Sequence, residues 1–441
     1  MSDTVVHIDI TEWATAGPGT HPELADLRLP LDVDIQAAGG ILAAQHMLAV
    51  SELRTGLRID TTSYVGRVRF GPLDLIIRPK INGLPLWRLL RYAYGLRDLS
   101  TYAPLDFGVE EASFQELLVA QLLAETAEIL SRGLHRRYVR CMDDLASPRG
   151  RIEMEEYTRH SNRPLTTLPC THFPRSDDSL LNQALLAGLR VALGITGDRA
   201  LAHGLHRHIK LLSESVSDIH LHRSLFPRVW AACNRLTRSY EPALRIIQLL
   251  VTGNGISFEQ QAQTVSVDGF LFDMNRFFQT LVTRVLDEYL SEPPYQVESE
   301  YRLTGIISYD FRENPQHRNA PVLRPDILVR HRGTLVAVLD AKYRDLWEND
   351  LPAHMLYQLA IYALSQDQHW EAIILYPTLN AGARDQRIII DRLAAGHTAS
   401  VVLRPVNLLR LDALLCEKSQ RGQDEIMRMA YDMVYSNQTE R

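Results

Sequence analysis

The chain has 441 residues, too many for one ordinary domain, so we expect two or three. Its hydrophobic content of 46% is sufficient for packed cores and excludes a disordered chain. No apolar stretch reaches the roughly 18 residues that span a bilayer, and the first residues lack the features of a signal peptide. The cysteines have no C-x-x-C spacing, which argues against a zinc site or a disulfide framework. These features predict a globular, cytoplasmic protein without a membrane segment.

The formal net charge of -6 is an average over unequal regions. Residues 131–175 contain nine arginines against five acidic residues, and residues 190–245 contain eight arginines and one lysine against four. Clusters of this kind are typical of the electrostatic footprint of a nucleic-acid-binding protein. A solvated face matched by acidic neighbours is the alternative, and the sequence leaves both open.

In chain order, β-type runs come first. Residues 62–70 and 73–78 are separated by a Gly-Pro turn, which predicts a hairpin or a small barrel. Residues 112–131 predict an amphipathic helix, because their apolar side chains recur at helical spacing. Residues 147–150 form a turn-rich break that we expect a strand pair to flank. Helices are predicted to dominate residues 180–250.

These patterns predict an α+β fold with three regions. We expect a β-rich N-terminal domain over residues 1–110 and a mixed, mainly helical and basic region over residues 111–252. An α/β domain is expected over residues 253–441. The Gly-Asn-Gly turn at residues 253–255 marks the second boundary, because such clusters are loop signals.

The most informative feature of the chain is the triplet Asp340-Ala341-Lys342. The chain has 43 arginines and only four lysines, so a lysine at this position indicates that arginine cannot replace it. Arginine carries its charge on a planar guanidinium group, whereas lysine can place a compact ammonium beside a phosphoryl oxygen. The triplet ends an apolar run, residues 335–339, that predicts a buried strand. Because an unpaired buried charge is strongly unfavourable, Asp340 is predicted to bind a metal ion or a close ion-pair partner.

A second carboxylate is predicted to lie opposite Asp340. Two strand-like runs flank a short turn that contains Gly333, which predicts a β-hairpin. Its register places Asp326 opposite Asp340, and Lys342 on the same side because side chains alternate along a strand. Two adjacent carboxylates repel one another without a cation, and Mg²⁺ is often held by one or two carboxylates. A surface hairpin with a simple ion pair is the alternative, which the unbroken apolar run disfavours.

A helix is predicted after the hairpin. Asp350 and Pro352 form a start signal, and Gln358 and Tyr362 are four residues apart on one helical face. Alone, this pair would indicate ordinary helix packing. Beside the hairpin, it can orient the lysine or contact a DNA backbone. Further strands are predicted beyond the helix, at residues 372–376 and 387–390.

Together these motifs resemble the PD-(D/E)xK nuclease superfamily. The resemblance is carried by Pro325-Asp326, Asp340-Ala341-Lys342 and Gln358-x-x-x-Tyr362. Longer strings are similar to the McrC subunit of McrBC restriction systems, namely those at residues 76–81, 339–343 and 357–363. The similarity covers most of the chain, from about residue 66 to residue 363.

The resemblance implies a Mg²⁺-dependent DNA endonuclease. It implies that Asp326 and Asp340 hold Mg²⁺ and that Lys342 stabilises charge at the scissile phosphate. Gln358 and Tyr362 would orient this set.

The resemblance also implies a partner, a McrB-like AAA+ GTPase ring that licenses cleavage. In that family the N-terminal part of the McrC-like subunit engages the ring and stimulates its GTPase. Lys80, in the similar string at residues 76–81, is therefore a candidate partner contact. The chain has no G-x-x-x-x-G-K-[ST] phosphate loop of its own, which assigns nucleotide hydrolysis to a partner.

One departure from the superfamily pattern leaves questions open. Many of these nucleases add an acidic residue from the helix before the hairpin, but that helix, predicted from about Asn275, carries Gln279 at the matching place. Glu288, Glu298 and Glu300 could supply the carboxylate, so the number of metal ions stays open. Two other functions also stay open: a stand-alone repair or recombination nuclease, and a non-cleaving activator of the GTPase ring.

Overall fold

The structure is a computed structural model with a mixed α/β fold and several sheets. No helix in the part that it describes is long and apolar enough to cross a membrane. The described residues are 5–30, 32–81, 83–96, 114–159, 166–253, 258–260, 263–265, 269–290, 295–299, 301–303, 306–310, 312–314, 316–366, 370–391 and 398–435.

The N-terminal region consists of small sheets and two helices. Its elements are β1 (Val6–Thr11), β2 (Thr15–Ala16), α1 (Val33–Ala44), β3 (Leu48–Leu53), β4 (Gly56–Thr61), β5 (Tyr64–Phe70), β6 (Leu73–Arg78) and α2 (Gly83–Tyr94). Strands β5 and β6 form the antiparallel hairpin predicted at residues 62–78. A three-stranded sheet has the order β2-β4-β3, and its apolar face packs against the β1-β6-β5 sheet around Leu24, Leu57 and Ile59.

A strand from much later in the chain completes the N-terminal sheet. This strand, β14 (Gly269–Asp273), pairs antiparallel with β5, so that the sheet order is β1-β6-β5-β14. Gly269 has a φ of 148°, and a β-carbon there would collide with the backbone of Arg67. β14 leads directly into α9 (Met274–Tyr289). A hydrogen-bonded sheet therefore joins the N-terminal region to the chain beyond residue 252, while the domain boundaries at residues 110 and 252 remain predictions.

The middle region is mainly helical, as the pattern over residues 180–250 predicts. Its helices pack around a core that continues into the C-terminal region. The helices are α3 (Phe114–Arg132), α4 (Met154–Arg159), α5 (Leu180–Ile195), α6 (Arg199–Ser213), α7 (Phe226–Ala232) and α8 (Glu241–Gly253). The strands are β7 (Arg137–Tyr138), β8 (Cys141–Leu145), β9 (Arg151–Ile152), β10 (Leu168–His172) and β11 (Arg175–Ser176). Helix α8 contains Gly253, and Asn254 and Gly255 of the predicted boundary turn lie outside the described residues.

The predicted strand pair around residues 147–150 is wrong in its pairing. β8 and β9 do flank the break, but both pair with β10, in the order β8-β10-β9. Gly150 has a φ of 75° and lies so close to Thr171 that a β-carbon would collide with the Thr171 backbone oxygen. The chain therefore passes across β10 instead of turning back onto β8.

The C-terminal region is a six-stranded mixed sheet covered on both faces. Its strands are β15 (Tyr295–Ser299), β16 (Ile327–His331), β17 (Thr334–Ala341), β18 (Glu371–Thr378), β19 (Gln386–Asp391) and β20 (Thr398–Asn407), and β12 (Phe258–Gln260) and β13 (Gln263–Val265) form a separate hairpin. The sheet order is β15-β16-β17-β18-β20-β19, with parallel pairing from β17 through β18 to β20. Helices α9 and α12 (Gln420–Val434) cover one face, with α11 (Leu408–Cys416) beside them, and α10 (Ala353–Leu364) covers the other.

Candidate active site

The predicted hairpin is formed by β16 and β17. Ile327 pairs with Leu339, and the next two pairs follow the register predicted from the sequence. Arg332 and Gly333 form the turn with φ values of 52° and 80°, and positive values at both positions are typical of a type I′ hairpin turn. A bulge at Val329/Arg330 shifts the register only towards that turn. The opposite end of the hairpin therefore keeps the predicted register.

Asp326, Asp340 and Lys342 meet at that end. Asp326 lies one residue before β16, and its Oδ2 accepts a hydrogen bond from the Ala341 N–H at 2.9 Å. The Nζ of Lys342 is 3.1 Å from Asp340 Oδ2 and 3.5 Å from Asp326 Oδ2. The structure thus brings together the two carboxylates and the ammonium that the hairpin pattern predicts to be neighbours.

Burial gives this cluster unusual electrostatics. The Asp340 side chain is only 3% exposed, whereas the Lys342 side chain is 25% exposed and reaches towards solvent. Burial, reinforced by the charge of Asp326, raises the pKa of Asp340 to about 6, although Lys342 opposes the change. Burial lowers the pKa of Lys342, but the two carboxylates outweigh it and raise that pKa above its ordinary value. The lysine therefore remains a cation at neutral pH.

Helix α10 adds the predicted Gln358 and Tyr362 to the site. The helix starts directly after Pro352, as the sequence predicts, and Gln358 Nε2 donates to the Tyr362 hydroxyl at 2.8 Å. Tyr362 is buried against the sheet face that carries Leu328 and Val338. Burial raises the pKa of Tyr362, and the charges of Asp340 and Asp326 raise it further. Tyr362 therefore packs on the sheet face that carries Asp340, and Gln358 is hydrogen-bonded to its hydroxyl.

The donor set at this end fits a hard divalent cation. Asp340 Oδ1 is buried, and within the described part of the chain it has no hydrogen-bond partner. Such an orphaned carboxylate oxygen is costly unless it binds a cation or a proton. The described residues contain no cluster of three or more His, Cys, Asp or Glu side chains suited to a metal. Two carboxylates are, however, sufficient for Mg²⁺ when substrate oxygens complete its shell.

The alternatives for a third carboxylate lie in different places. Glu288, near the end of α9, accepts a hydrogen bond from the Tyr92 hydroxyl at 2.9 Å. Its Oε2 lies 3.7 Å from Arg284 Nε. Glu298 in β15 pairs with Leu328, which places its side chain on the sheet face that also carries Asp340. Glu300 lies outside the described residues. Of the two described glutamates, only Glu298 therefore shares a face with the acidic pair.

Sequence patterns missed a set of residues that contact Tyr343, the neighbour of Lys342. Glu12, Trp13 and Asn275 each form a hydrogen bond with Tyr343. No spacing rule connects Tyr343 with Asn275, 68 positions away, or with Glu12 and Trp13, about 330 positions away. Lys80, the predicted partner contact, lies two residues after the end of β6 and has an exposed side chain. Its backbone N–H donates to Glu12 Oε1 at 2.7 Å.

Comparison with known proteins places the chain in a family. Residues 59–377 match the family model described as "McrBC 5-methylcytosine restriction system component". The chain also matches a chain of the half-complex from a tetradecameric assembly of Thermococcus gammatolerans McrB AAA+ hexamers with bound McrC. That match has 22% identity and a TM-score of 0.62, and it covers 98% of this chain and 100% of the other, which shows a shared fold.

A second structure, the Thermococcus gammatolerans McrBC complex, matches at 23% identity with a TM-score of 0.46, over 65% of this chain and 89% of the other. No curated protein matches the chain. The family model covers most of the sequence, including both strands of the hairpin and helix α10. The protein therefore belongs to the family of McrBC 5-methylcytosine restriction system components.

Proposed function

We propose that the protein is the Mg²⁺-dependent DNA endonuclease subunit of a McrBC-like restriction complex. The observation that carries the proposal is the meeting of Asp326, Asp340 and Lys342 at the end of a buried hairpin. An enzyme that hydrolyses phosphodiesters with a metal ion needs negative ligands for the cation, and a positive group can stabilise the developing charge. This cluster contains both, in a chain whose family belongs to a restriction system.

Asp326 and Asp340 would hold the metal ion. The orphaned Oδ1 of Asp340 supports this assignment, because its burial is otherwise uncompensated. Bound there, Mg²⁺ supplies Lewis-acid chemistry, polarising a phosphoryl oxygen and helping to activate water. The hydrogen bond from the Ala341 N–H holds the Asp326 carboxylate in the orientation that faces Asp340.

Lys342 would stabilise negative charge at the scissile phosphate. Its raised pKa keeps it protonated, and its partial exposure lets the ammonium reach a substrate from the buried strand end. Preorganised donors of this kind typically contribute about 10²–10³ in rate. Gln358 and Tyr362 would orient the set from α10, because their side chains are bonded to each other on the sheet face that carries Asp340.

DNA binding is supported by a basic cleft that the middle region lines together with Gly95 and Arg284. The cleft has a volume of about 790 Å³, and Leu236, 91% exposed, lies at its edge. Among the described residues that line it, the only acid is Glu241. The arginines that line it are Arg132, Arg235, Arg238, Arg245 and Arg284. Arg132, Arg245 and Arg284 are paired with Glu128, Glu241 and Glu288. Arg235 and Arg238 have no ion-pair partner among the described residues and are the charges that would bind a phosphate backbone.

The partner would be a McrB-like AAA+ GTPase ring that the N-terminal region engages and stimulates. The family assignment and the shared fold with a chain of the McrB–McrC assembly support this part of the proposal. The exposed side chain of Lys80 is the candidate contact.

Reconstitution tests the proposal. DNA is incubated with this protein, the ring protein, Mg²⁺ and GTP, and each component is omitted in turn. We expect cutting only in the complete mixture. Efficient cutting by this chain and Mg²⁺ alone would favour a stand-alone repair or recombination nuclease. GTPase stimulation without any cutting would favour a non-cleaving activator.

A further inference from the structure

Tyr343 follows Lys342, and each of its polar groups forms a hydrogen bond. Its backbone N–H donates to Asn275 Oδ1 at 3.0 Å, and its carbonyl accepts from the indole Nε1–H of Trp13 at 3.0 Å. Its hydroxyl donates to Glu12 Oε1 at 3.0 Å. The side chain is buried, with 4% exposure. This set of contacts, which we name the Tyr343 clamp, fixes the backbone directly after Lys342.

The Tyr343 clamp is formed largely by the N-terminal region. Glu12 and Trp13 lie in the turn that follows β1, about 330 residues before Tyr343. Asn275 is in the first turn of α9, and its Nδ2 donates to Ser63 Oγ beside β5 at 2.6 Å. Each of the three contacts therefore leads to the N-terminal sheet.

Two features of the clamp are unfavourable for the fold itself. Trp13 has a φ of 55°, a conformation that a bulky side chain rarely adopts and that costs roughly 1–3 kcal/mol. Glu12 is fully buried, and among the described residues its Oε2 has no hydrogen-bond partner. The strained backbone of Trp13 and the orphaned Oε2 of Glu12 both lower stability. Their presence is therefore better explained by function than by stability.

The clamp joins a packed aromatic ring to an open cavity. The Tyr343 ring lies in the buried core and contacts Phe278 edge-on, with ring centroids 6.2 Å apart, and a cavity of about 210 Å³ opens beside Glu12 and Trp13. On the other side of the lysine, the Lys342 N–H donates to the Leu375 carbonyl at 3.0 Å. Lys342 is thus held between a strand contact before it and the clamp after it.

We infer that Glu12 and Trp13 are positioning residues for Lys342, so that the N-terminal sheet sets the geometry of the nuclease site. The inference rests on the proposed function, in which Lys342 acts at the scissile phosphate. It adds that the region expected to engage the GTPase ring is in direct hydrogen-bond contact with the residue next to the catalytic lysine.

The test compares Trp13→Phe and Tyr343→Phe with matched controls in the full complex. Trp13→Phe removes the indole donor to Tyr343, and Tyr343→Phe removes the hydroxyl donor to Glu12. Trp347→Phe is the first control, because Trp347 is 36% exposed and Trp13 is 37% exposed. Tyr376→Phe is the second, because the buried Tyr376 hydroxyl has no hydrogen-bond partner among the described residues.

The readouts are the single-turnover cleavage rate at saturating DNA, the DNA concentration that gives half of that rate, GTPase stimulation and the melting temperature. We expect each clamp variant to lower the maximal rate roughly tenfold, because small displacements of a catalytic group have effects of this order or larger. The half-saturating DNA concentration and GTPase stimulation should match those of the controls. The double variant should lose less than the product of the two single losses, because both act on one residue.

Folded clamp variants that cut within about twofold of their controls would overturn the inference while leaving the nuclease assignment intact. A loss of rate that disappears when rates are expressed per folded molecule would also overturn it, because the effect would then be structural. A wild-type complex that binds DNA and hydrolyses GTP without cutting would instead refute the proposed function, and the inference with it.

Discussion

Replacing Lys342 with alanine should abolish DNA cutting. Ring binding and GTPase stimulation should stay near normal. The ammonium lies 3.1 Å and 3.5 Å from two carboxylate oxygens, and no backbone hydrogen bond depends on its side chain among the described residues. Removing one charge-stabilising donor typically lowers the rate about 10²–10³-fold. Since the backbone N–H of Lys342 still bonds to Leu375, the hairpin should remain in place.

The cost to stability should be modest. Removing one partner of a fully buried ion pair costs about 3–5 kcal/mol. Lys342 is partly exposed, and burial already raises the pKa of Asp340, so that carboxyl can take up a proton once the lysine is gone. We therefore expect a loss of about 1–3 kcal/mol in metal-free buffer, measured by denaturant unfolding.

The assay measures DNA cutting, ring binding and GTP hydrolysis on the same preparations. Lys418→Ala is the control, because Lys418 is an exposed member of the small lysine set. Lys342→Arg should also cut poorly, because the planar guanidinium of arginine cannot place its charge as the compact ammonium of lysine does. An arginine variant that cuts at the wild-type rate would refute the argument from lysine scarcity. Loss of GTPase stimulation in folded Lys342→Ala would show that cutting and ring activation are not separable.

Three further substitutions test the roles of Tyr362, Glu12 and Lys80. Tyr362→Phe removes the hydroxyl that accepts a hydrogen bond from Gln358. Cutting should slow about threefold to tenfold, the effect of losing one hydrogen bond. An unchanged single-turnover rate would show that Gln358 and Tyr362 do not act in the site. Glu12 has a pKa of about 7 in the folded protein against an ordinary 4.5, mainly because it is buried. Its stabilising contribution is therefore complete below pH 4.5 and is lost as the pH rises through 7, a change of up to about 3 kcal/mol. Glu12→Gln should not show this loss, so unfolding free energies at pH 5 and pH 8 should diverge between the two proteins, and parallel values would contradict the assignment. Lys80→Ala should weaken GTPase stimulation without changing the cutting rate per assembled complex, because its hydrogen bond to Glu12 comes from the backbone N–H, which alanine retains. Normal stimulation would exclude this contact.

The hairpin could be predicted because local rules determine it. Gly333 marks the turn and the apolar run marks the strand. Counting residue pairs outward from the turn therefore places Asp326 beside Asp340. Helix α10 follows from Pro352 and helical spacing in the same way. The bulge at Val329/Arg330 has no clear sequence signal, but it lies towards the turn and leaves the site unaffected.

Contacts between distant segments could not be predicted. The pairing of β14 with β5 and the contact of Trp13 with Tyr343 join residues separated by about 200 and about 330 positions. No periodicity or spacing rule specifies such a contact, because it depends on how whole regions pack. The same limit explains the error at residues 147–150, where the partner strand β10 lies beyond the local turn.

The most direct test of the central claim is an Asp340→Asn variant in the complete complex, with DNA cutting and GTP hydrolysis followed in one reaction. Asparagine preserves the size of this buried side chain and removes the negative charge that would hold the cation. We expect wild-type GTP hydrolysis with cutting reduced at least about 10²-fold, the effect expected when a catalytic charge is removed. Cutting at the wild-type rate by the Asp340→Asn complex would contradict the assignment of Asp340 as a metal ligand, since the nuclease centre would then lie elsewhere.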